Sequence, residues 1–374
     1  MGKERIVVKI GSSSLTNEQG GLAEKAISEY VEAIARLKKQ GHEVVVISSG
    51  AVAAGFNDLG YPTRPVSTAG KQAAAAVGQG ALMQAYTEAF QSHGLRTAQI
   101  LLTKENFANR SQYQNAYATL QELLKRQTIP IINENDTVSI DELTFGDNDM
   151  LSALVGGMMH ARLLIMLTDI NGIYDSNPNT NRDAKRYHFL PDVPEELVEN
   201  TGSEGSTLGT GGMKSKIEAA QRALSLGLNV FIGQKQSADA LLDVLAGKGN
   251  GTYIGYKPPS SLSISNKKQW VGLHSEVSGQ LVIDAGAERA LMEKGKSLLP
   301  AGIKETSGSY HAGDVVEVVN EKDERIGRGQ VNMSSIEIQE IKGLPSNEAF
   351  GLIQTSRAEV IHRDDWVPLT KERT

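Results

Sequence analysis

The sequence predicts an α/β protein: an open, mainly parallel sheet sandwiched by helices, followed by a smaller β-rich domain. Three observations predict it. From residue 5 to about 255, short β-branched runs alternate with longer stretches rich in alanine, leucine and glutamate, the pattern of strands joined by crossover helices. Near Lys257 the texture changes to the proline-, serine- and lysine-rich KPPSSLSISNKK. Beyond it the segments shorten and turn residues arrive at close intervals.

Taken in order, strands are expected at residues 6–10, 44–47, 97–102, 129–132, 163–167 and 229–232. Between them, residues 23–40, 70–93, 115–126 and 213–226 are long enough to form helices that cross back over the sheet. In the C-terminal part, GQLVIDAGAERALMEKGKSLLPAGI reads as a strand, a small helix and a turn. AGDVVEVVNEKDERIGRGQVN reads as a hairpin with its neighbours. Domains are expected at residues 1–257 and 270–374, with a linker at about 258–269.

Composition narrows the function classes. A chain of 374 residues with 40% hydrophobic residues fills two real cores. Its formal net charge of −6 disfavours long-range attraction to nucleic acid or anionic lipid. The absence of cysteine excludes disulfides, thiolate catalysis and cysteine zinc sites. The seven histidines are scattered without a metal-binding spacing, so no protein-held metal is expected. The opening MGKERIVVKIGSSSL meets Lys9 too soon for a signal peptide or membrane span, and a cytoplasmic enzyme is the expected class.

In an open α/β sheet, ligands gather at the carboxyl ends of the strands, so the residues that follow each strand carry the chemistry. The first strand delivers Lys9 and then Gly11 with three serines, small residues that let backbone amides approach phosphate beside an ammonium. The second runs into Ser48, Ser49 and Gly50, which is both an anion-friendly helix start and an ordinary cap. NENDT at residues 133–137 ends another strand, and FGDNDM places Asp147, Asn148 and Asp149 at the start of a helix. A fifth tip carries Thr168 and Asp169. The run GTGGMKSK at residues 209–216 has the glycines and lysines of a phosphate loop but fails the P-loop template, because Met213 stands where that template needs glycine. VGQGALMQAY holds Gly78 and Gly80 inside a helical stretch without the third glycine of a dinucleotide fingerprint, and close helix packing explains it better.

Lysines, carboxylates and small-residue turns without a histidine or cysteine ensemble fit phosphoryl transfer, which needs positioning and charge neutralisation rather than a protein nucleophile. A carboxylate acceptor, with a pKa of about 4, is already ionised at neutral pH and needs no general base.

VVKIGSSSL, ISSGAVAAG, PIINENDTV, FGDNDMLSALV, LTDINGIY and GTGGMKSKIEAA, in this order, resemble the glutamate-phosphorylating members of the amino acid kinase superfamily, and the tail from about Trp270 resembles a PUA module. Members acting on aspartate, acetylglutamate or uridylate share the first strand end, whereas NEND, GDNDMLSALV and the tail together mark the glutamate branch. The resemblance implies ATP-dependent phosphorylation of the side-chain carboxylate of L-glutamate, with Mg²⁺ carried mainly by the nucleotide. It assigns Lys9, Lys216 and Asp149 to catalysis and Ser49, Asp136 and Asn148 to glutamate, with Asp147 a further candidate nearby. The nucleotide side falls to Lys9, Gly11, Thr168, Asp169, Thr210, Gly211, Gly212, Met213, Lys214, Ser215 and Lys216, of which Lys214 is also readable as solvent-facing. It further implies feedback by proline, a homo-oligomer and functional coupling to glutamyl phosphate reductase. The rival readings are a sister kinase acting on another carboxylate, and RNA binding through the PUA-like tail. The tail's 14 basic against 17 acidic residues from Ser261 to Thr374, with no basic stripe, argue against RNA.

Overall fold

The structure, a computed structural model, describes residues 3–17, 21–138, 148–176, 178, 181–194, 197, 212–255, 277–345, 348–349, 352 and 359–368. It divides into two compact units, Met1–Asn106 with Ser111–Ser261, and Phe107–Arg110 with Leu262–Thr374. The expected linker at 258–269 lies outside the described residues.

In chain order the first unit contains β1 (Arg5–Ile10), α1 (Glu24–Lys39), β2 (Glu43–Ser48), α2 (Ala51–Gly55), α3 (Thr68–Gln91) and β3 (Arg96–Leu102). There follow α4 (Lys104–Ala108) and α5 (Arg110–Lys125), of which residues 107, 108 and 110 are grouped with the second unit, then β4 (Thr128–Glu134), α6 (Asn148–Met158), β5 (Leu163–Leu167) and β6 (Phe189–Leu190). The unit closes with α7 (Met213–Ser225), β7 (Asn229–Gly233), α8 (Ala240–Leu245) and β8 (Gly251–Ile254). The eight strands form one sheet in the order β3-β4-β2-β1-β5-β7-β8-β6. All pairs are parallel except β7 with β8. The apolar runs VVVI in β2 and LLIML in β5 are buried throughout, as continuous β-branched and leucine runs are when helices cover both faces of a sheet.

Each expected strand forms, and the differences lie at the ends. The ladder with β3 pairs Leu101 with Asn133 and Leu102 with Glu134, carrying β4 two residues past its apolar run into the polar NE. The helix expected from residue 115 begins at Arg110, because Tyr113 adds a buried anchor one turn earlier.

α3 buries Gly70, Ala74, Gly78, Leu82, Tyr86 and Phe90, one residue every four, so its ridge is small at the first half and large at the second. α2 crosses the small half. A Cβ on Gly78 would stand within 2 Å of the Ala51 carbonyl oxygen, and one on Gly55 would meet the Ala74 oxygen, so the two glycines are what let these backbones touch. Gly80 has open space around it, while Ala73, Ala76 and Val77 are exposed, so only one face of this alanine-rich helix is core.

The second unit holds β9 (Val277–Ile283), α9 (Ala285–Met292), β10 (Ile303–Gly308), β11 (Val315–Asn320), β12 (Arg325–Val331), α10 (Ser335–Ile341) and β13 (Ile361–Pro368). Its five-stranded sheet runs β10-β9-β11-β12-β13, with β9 and β11 parallel and the rest antiparallel. The expected strand, small helix and hairpin are β9, α9 and β11–β12. Asp284 caps α9 by accepting from the Ala287 amide at 2.7 Å, and Ser334 with Glu337 forms a capping box on α10. Gly327 leaves room for the Trp366 ring, which a Cβ there would strike.

Candidate active site

β4, β2, β1 and β5 are neighbours, and their carboxyl ends share one edge of the sheet because all three pairings are parallel. Lys9 sits one residue from the end of β1, its backbone level with Ile47 of β2 and Met166 of β5. Asp149 is the second residue of α6, and it and every residue from Leu151 to Met158 are buried. Gly156 and Gly157 let α6 close on Leu228 and Leu226, since a Cβ at either would strike those side chains. Lys216 is the fourth residue of α7 and lies in helical phase with Ala219, Ala220 and Ala223, the inward stripe, so periodicity alone turns it inward.

These three elements meet at one carboxylate. Lys9 Nζ lies 2.5 Å from Asp149 Oδ1, and Lys216 Nζ lies 3.1 Å from Asp149 Oδ2. Ser215 Oγ donates to the same Oδ2 at 3.0 Å and also lies 2.9 Å from the Gly212 carbonyl. Asp149 is 0% exposed, Lys9 2% and Lys216 7%, so the charges are held in low dielectric, where each is worth more than at a surface. Two ammonium groups and one carboxylate sum to one positive charge, the sign that suits a phosphate. A Cβ on Gly11 would stand 3.8 Å from Lys9 Nζ, so glycine there leaves the flank of that ammonium clear.

On the β4 and β2 side, Asn148 Nδ2 donates to Ser49 Oγ and to Asn133 Oδ1, both at 2.9 Å. Asn133 Nδ2 donates to Gln79 Oε1 of α3, also at 2.9 Å. Gly50 adopts φ +105°, a left-handed conformation that glycine takes without strain, and turns the chain from Ser49 into α2. Behind Ser49, the Ser48 and Tyr86 hydroxyls lie 3.0 Å apart in the core. Asp136 stands in the turn after β4. Burial first, and the neighbouring Glu134 charge second, push its carboxyl up to about 6, with Arg64 opposing them.

On the β5 side, Thr168 is held by its amide to the Gly233 carbonyl at 3.0 Å, and its hydroxyl donates to Asp169 Oδ1 at 2.9 Å. Asp169 is exposed, and its carbonyl accepts from Gln234 Nε2. Gly212 caps α7 and Met213 is its first residue. Thr210, Gly211 and Asp147 lie outside the described residues.

The fold thus brings together Lys9, Asp149, Lys216 and Ser215, and separately Ser49 with Asn148. It does not bring Lys214 to them: that side chain is 55% exposed and faces Glu218 at 4.0 Å, one helical turn on. Sequence reading gave no site role to Asn133 or Gln79. Asn133 carried a signal, the change from apolar to polar at the end of β4; Gln79, in an alanine-rich helix, carried none.

Residues 4–234 match the amino acid kinase family, and residues 279–349 match the PUA domain. The chain is 57% identical over 369 residues to a glutamate 5-kinase of Bacillus cereus, covering 99% of this chain and 100% of that one. It is 55% identical over 373 residues to a glutamate 5-kinase of Geobacillus thermodenitrificans, covering 100% and 99%. Its fold is similar to that of a Giardia lamblia carbamate kinase bound to AMP-PNP, with a TM-score of 0.51 at 16% identity, over 67% of this chain and 98% of that one.

Proposed function

The chain belongs to the amino acid kinase family, and from that premise we propose that it transfers the γ-phosphoryl group of ATP to the side-chain carboxylate of L-glutamate, the first step of proline biosynthesis. The observation that carries this reading is the pair of buried lysines, Lys9 and Lys216, held from two different elements on the two oxygens of Asp149.

Phosphoryl transfer concentrates negative charge on the group in flight, and preorganised cations that need no rearrangement lower its barrier. Asp149 fixes both ammonium groups before substrate arrives. Adjacent strands are about 4.8 Å apart, so the β4 and β5 tips stand about 14 Å apart, with β2 and β1 between them. Glutamate lies over β4 and β2, where Ser49, Asn148 and Asp136 stand. The nucleotide lies over β5, where Thr168 and Asp169 stand, with Gly212, Ser215 and Lys216 at the start of α7 along its phosphates. The γ-phosphoryl group then comes to Lys9 from one side and the acceptor from the other. A γ-carboxylate oxygen bonds to the γ-phosphorus as the bond from that phosphorus to the β–γ bridging oxygen breaks, and the electron pair leaves with ADP. The acceptor is already ionised, so no proton has to be removed.

Among the described residues no group of three or more acidic or histidine side chains stands ready to hold a cation. Both Asp149 oxygens face lysines. This donor set fits Mg²⁺ as an ion carried by the nucleotide's own phosphates, whose charge it would offset.

The acyl phosphate product is trapped by hydroxylamine, so ATP, Mg²⁺, L-glutamate and hydroxylamine yield a hydroxamate. Product from aspartate or acetylglutamate, and none from glutamate, would move the chain to a sister activity.

The same reading places the catalytic domain at residues 1–257 and the PUA-like domain at 270–374, and the enzyme in the cytoplasm. No helix among the described residues is long and apolar enough to cross a membrane. Proline acts as a feedback inhibitor at or near the glutamate side, the working form is a homo-oligomer, and glutamyl phosphate reductase consumes the labile product.

A further inference from the structure

We propose that Gln79 is a positioning residue for the acceptor, one that together with the Glu134 amide holds the Asn133 amide in the orientation that determines which atoms of Ser49 and Asn148 face it; this rests on the assignment of the β4–β2 side to glutamate. The starting point is a backbone group. The Glu134 amide donates to Asn133 Oδ1 at 2.9 Å, and because an N–H only donates, it fixes which end of the Asn133 amide is oxygen. Asn148 Nδ2 donates to that same oxygen. Asn133 Nδ2 is thereby directed at Gln79, whose Oε1 accepts from it.

The consequence appears at the far end of the chain of amides. Asn148 commits both protons of its Nδ2, one to Asn133 Oδ1 and one to Ser49 Oγ. Its Oδ1 is buried and has no hydrogen-bond partner among the described residues. A buried acceptor without a donor is costly until a ligand supplies one, and a substrate ammonium does. Ser49 Oγ accepts from Asn148 and keeps its own proton for a carboxylate oxygen. Reversed amides would offer two N–H groups to the ammonium and repel it.

Gln79 is suited to hold this polarity because its backbone has little room to shift. It follows Gly78, the residue at which α3 touches α2, and α2 begins two residues after Ser49. Asn133, the link between them, is 2% exposed, so water does not readily replace the Gln79 acceptor.

The test is a series at Gln79 assayed by hydroxamate formation with the full chain. Gln79→Met keeps length and removes the acceptor. It should raise KM for the acceptor amino acid about 5- to 10-fold, the effect of one lost buried hydrogen bond, while KM for ATP and the thermal midpoint stay near wild type. Gln79→Glu, which can only accept when ionised, should restore the low KM. Gln79→Lys, which can only donate, should raise it at least as far as Met does. An unchanged acceptor KM in the Met or Lys variant overturns the proposal, as does an equal rise in both KM values. If the wild type uses another carboxylate and not glutamate, the glutamate reading fails, and the series run on that carboxylate still decides the role of Gln79.

Discussion

Asp149 holds Lys9 at 2.5 Å through Oδ1 while its other oxygen faces Lys216 at 3.1 Å. One buried carboxylate thus ties the first strand of the sheet to a helix more than two hundred residues later. Removing the ammonium in Lys9→Met should lower kcat at least ~100-fold, as losing a preorganised donor does elsewhere. Asp149→Asn should also lower kcat, because two ammonium groups then lose the charge that orients them. Steady-state kinetics on folded variants checks both, and a near-normal kcat in Lys9→Met would remove Lys9 from the mechanism.

The two lysines of MKSK separate by helical phase. Lys216 is buried against Asp149, whereas Lys214 is solvent-facing beside Glu218. Lys216→Ala should lower kcat by at least ~100-fold. Lys214→Ala should change kcat and KM for ATP by less than about 2-fold, since an exposed pair at i and i+4 contributes about 0.3–0.5 kcal/mol. Similar losses in the two variants would contradict this division.

Asp136 makes acceptor binding depend on pH. Its carboxyl is raised to about 6, so it is ionised above that value and protonated below it. KM for glutamate should therefore rise as pH falls through about 6, with KM for ATP little changed, and Asp136→Asn should abolish the break while raising KM at all pH values. The stability effect has the matching sign. The native state holds this proton more tightly than the unfolded chain between about pH 4 and 6, so the contribution of Asp136 to stability falls as pH rises through that window. KM profiles with and without the substitution, and thermal midpoints across that range, test the two statements.

Two glycines of one helix should behave oppositely. A Cβ on Gly78 would strike the backbone of Ala51 and Gly55, so Gly78→Ala should destabilise the protein by about 1–3 kcal/mol and, by pushing α2 away, raise KM for glutamate. Gly80→Ala meets nothing within 4 Å and should stabilise the helix by about 0.5–1 kcal/mol. Denaturant midpoints of the pair measure the difference; equal destabilisation would contradict the packing.

Much of the fold was legible because its signals are local. The runs in β1, β2 and β5 are apolar without alternation, and only a sheet covered on both faces explains that. Lys9 and Thr168 were legible as candidates because residues at or just past strand ends reach the ligand edge of such a sheet. The length of β4 was less legible, since the pairing that carries it to Glu134 comes from β3 rather than from its own sequence. Gln79 was invisible because nothing nearby in the chain distinguishes it from the other polar residues of α3; its partner, Asn133, lies 54 positions away.

Residue order and periodicity were enough for the α/β class and the strand succession, because each follows from patterns a few residues long. Packing supplied the rest: which oxygen of Asp149 meets which lysine, which end of each amide faces the acceptor, and the raised carboxyl of Asp136. Those properties depend on groups brought within a few ångströms from distant parts of the chain, and on the loss of water around them, neither of which a local pattern encodes.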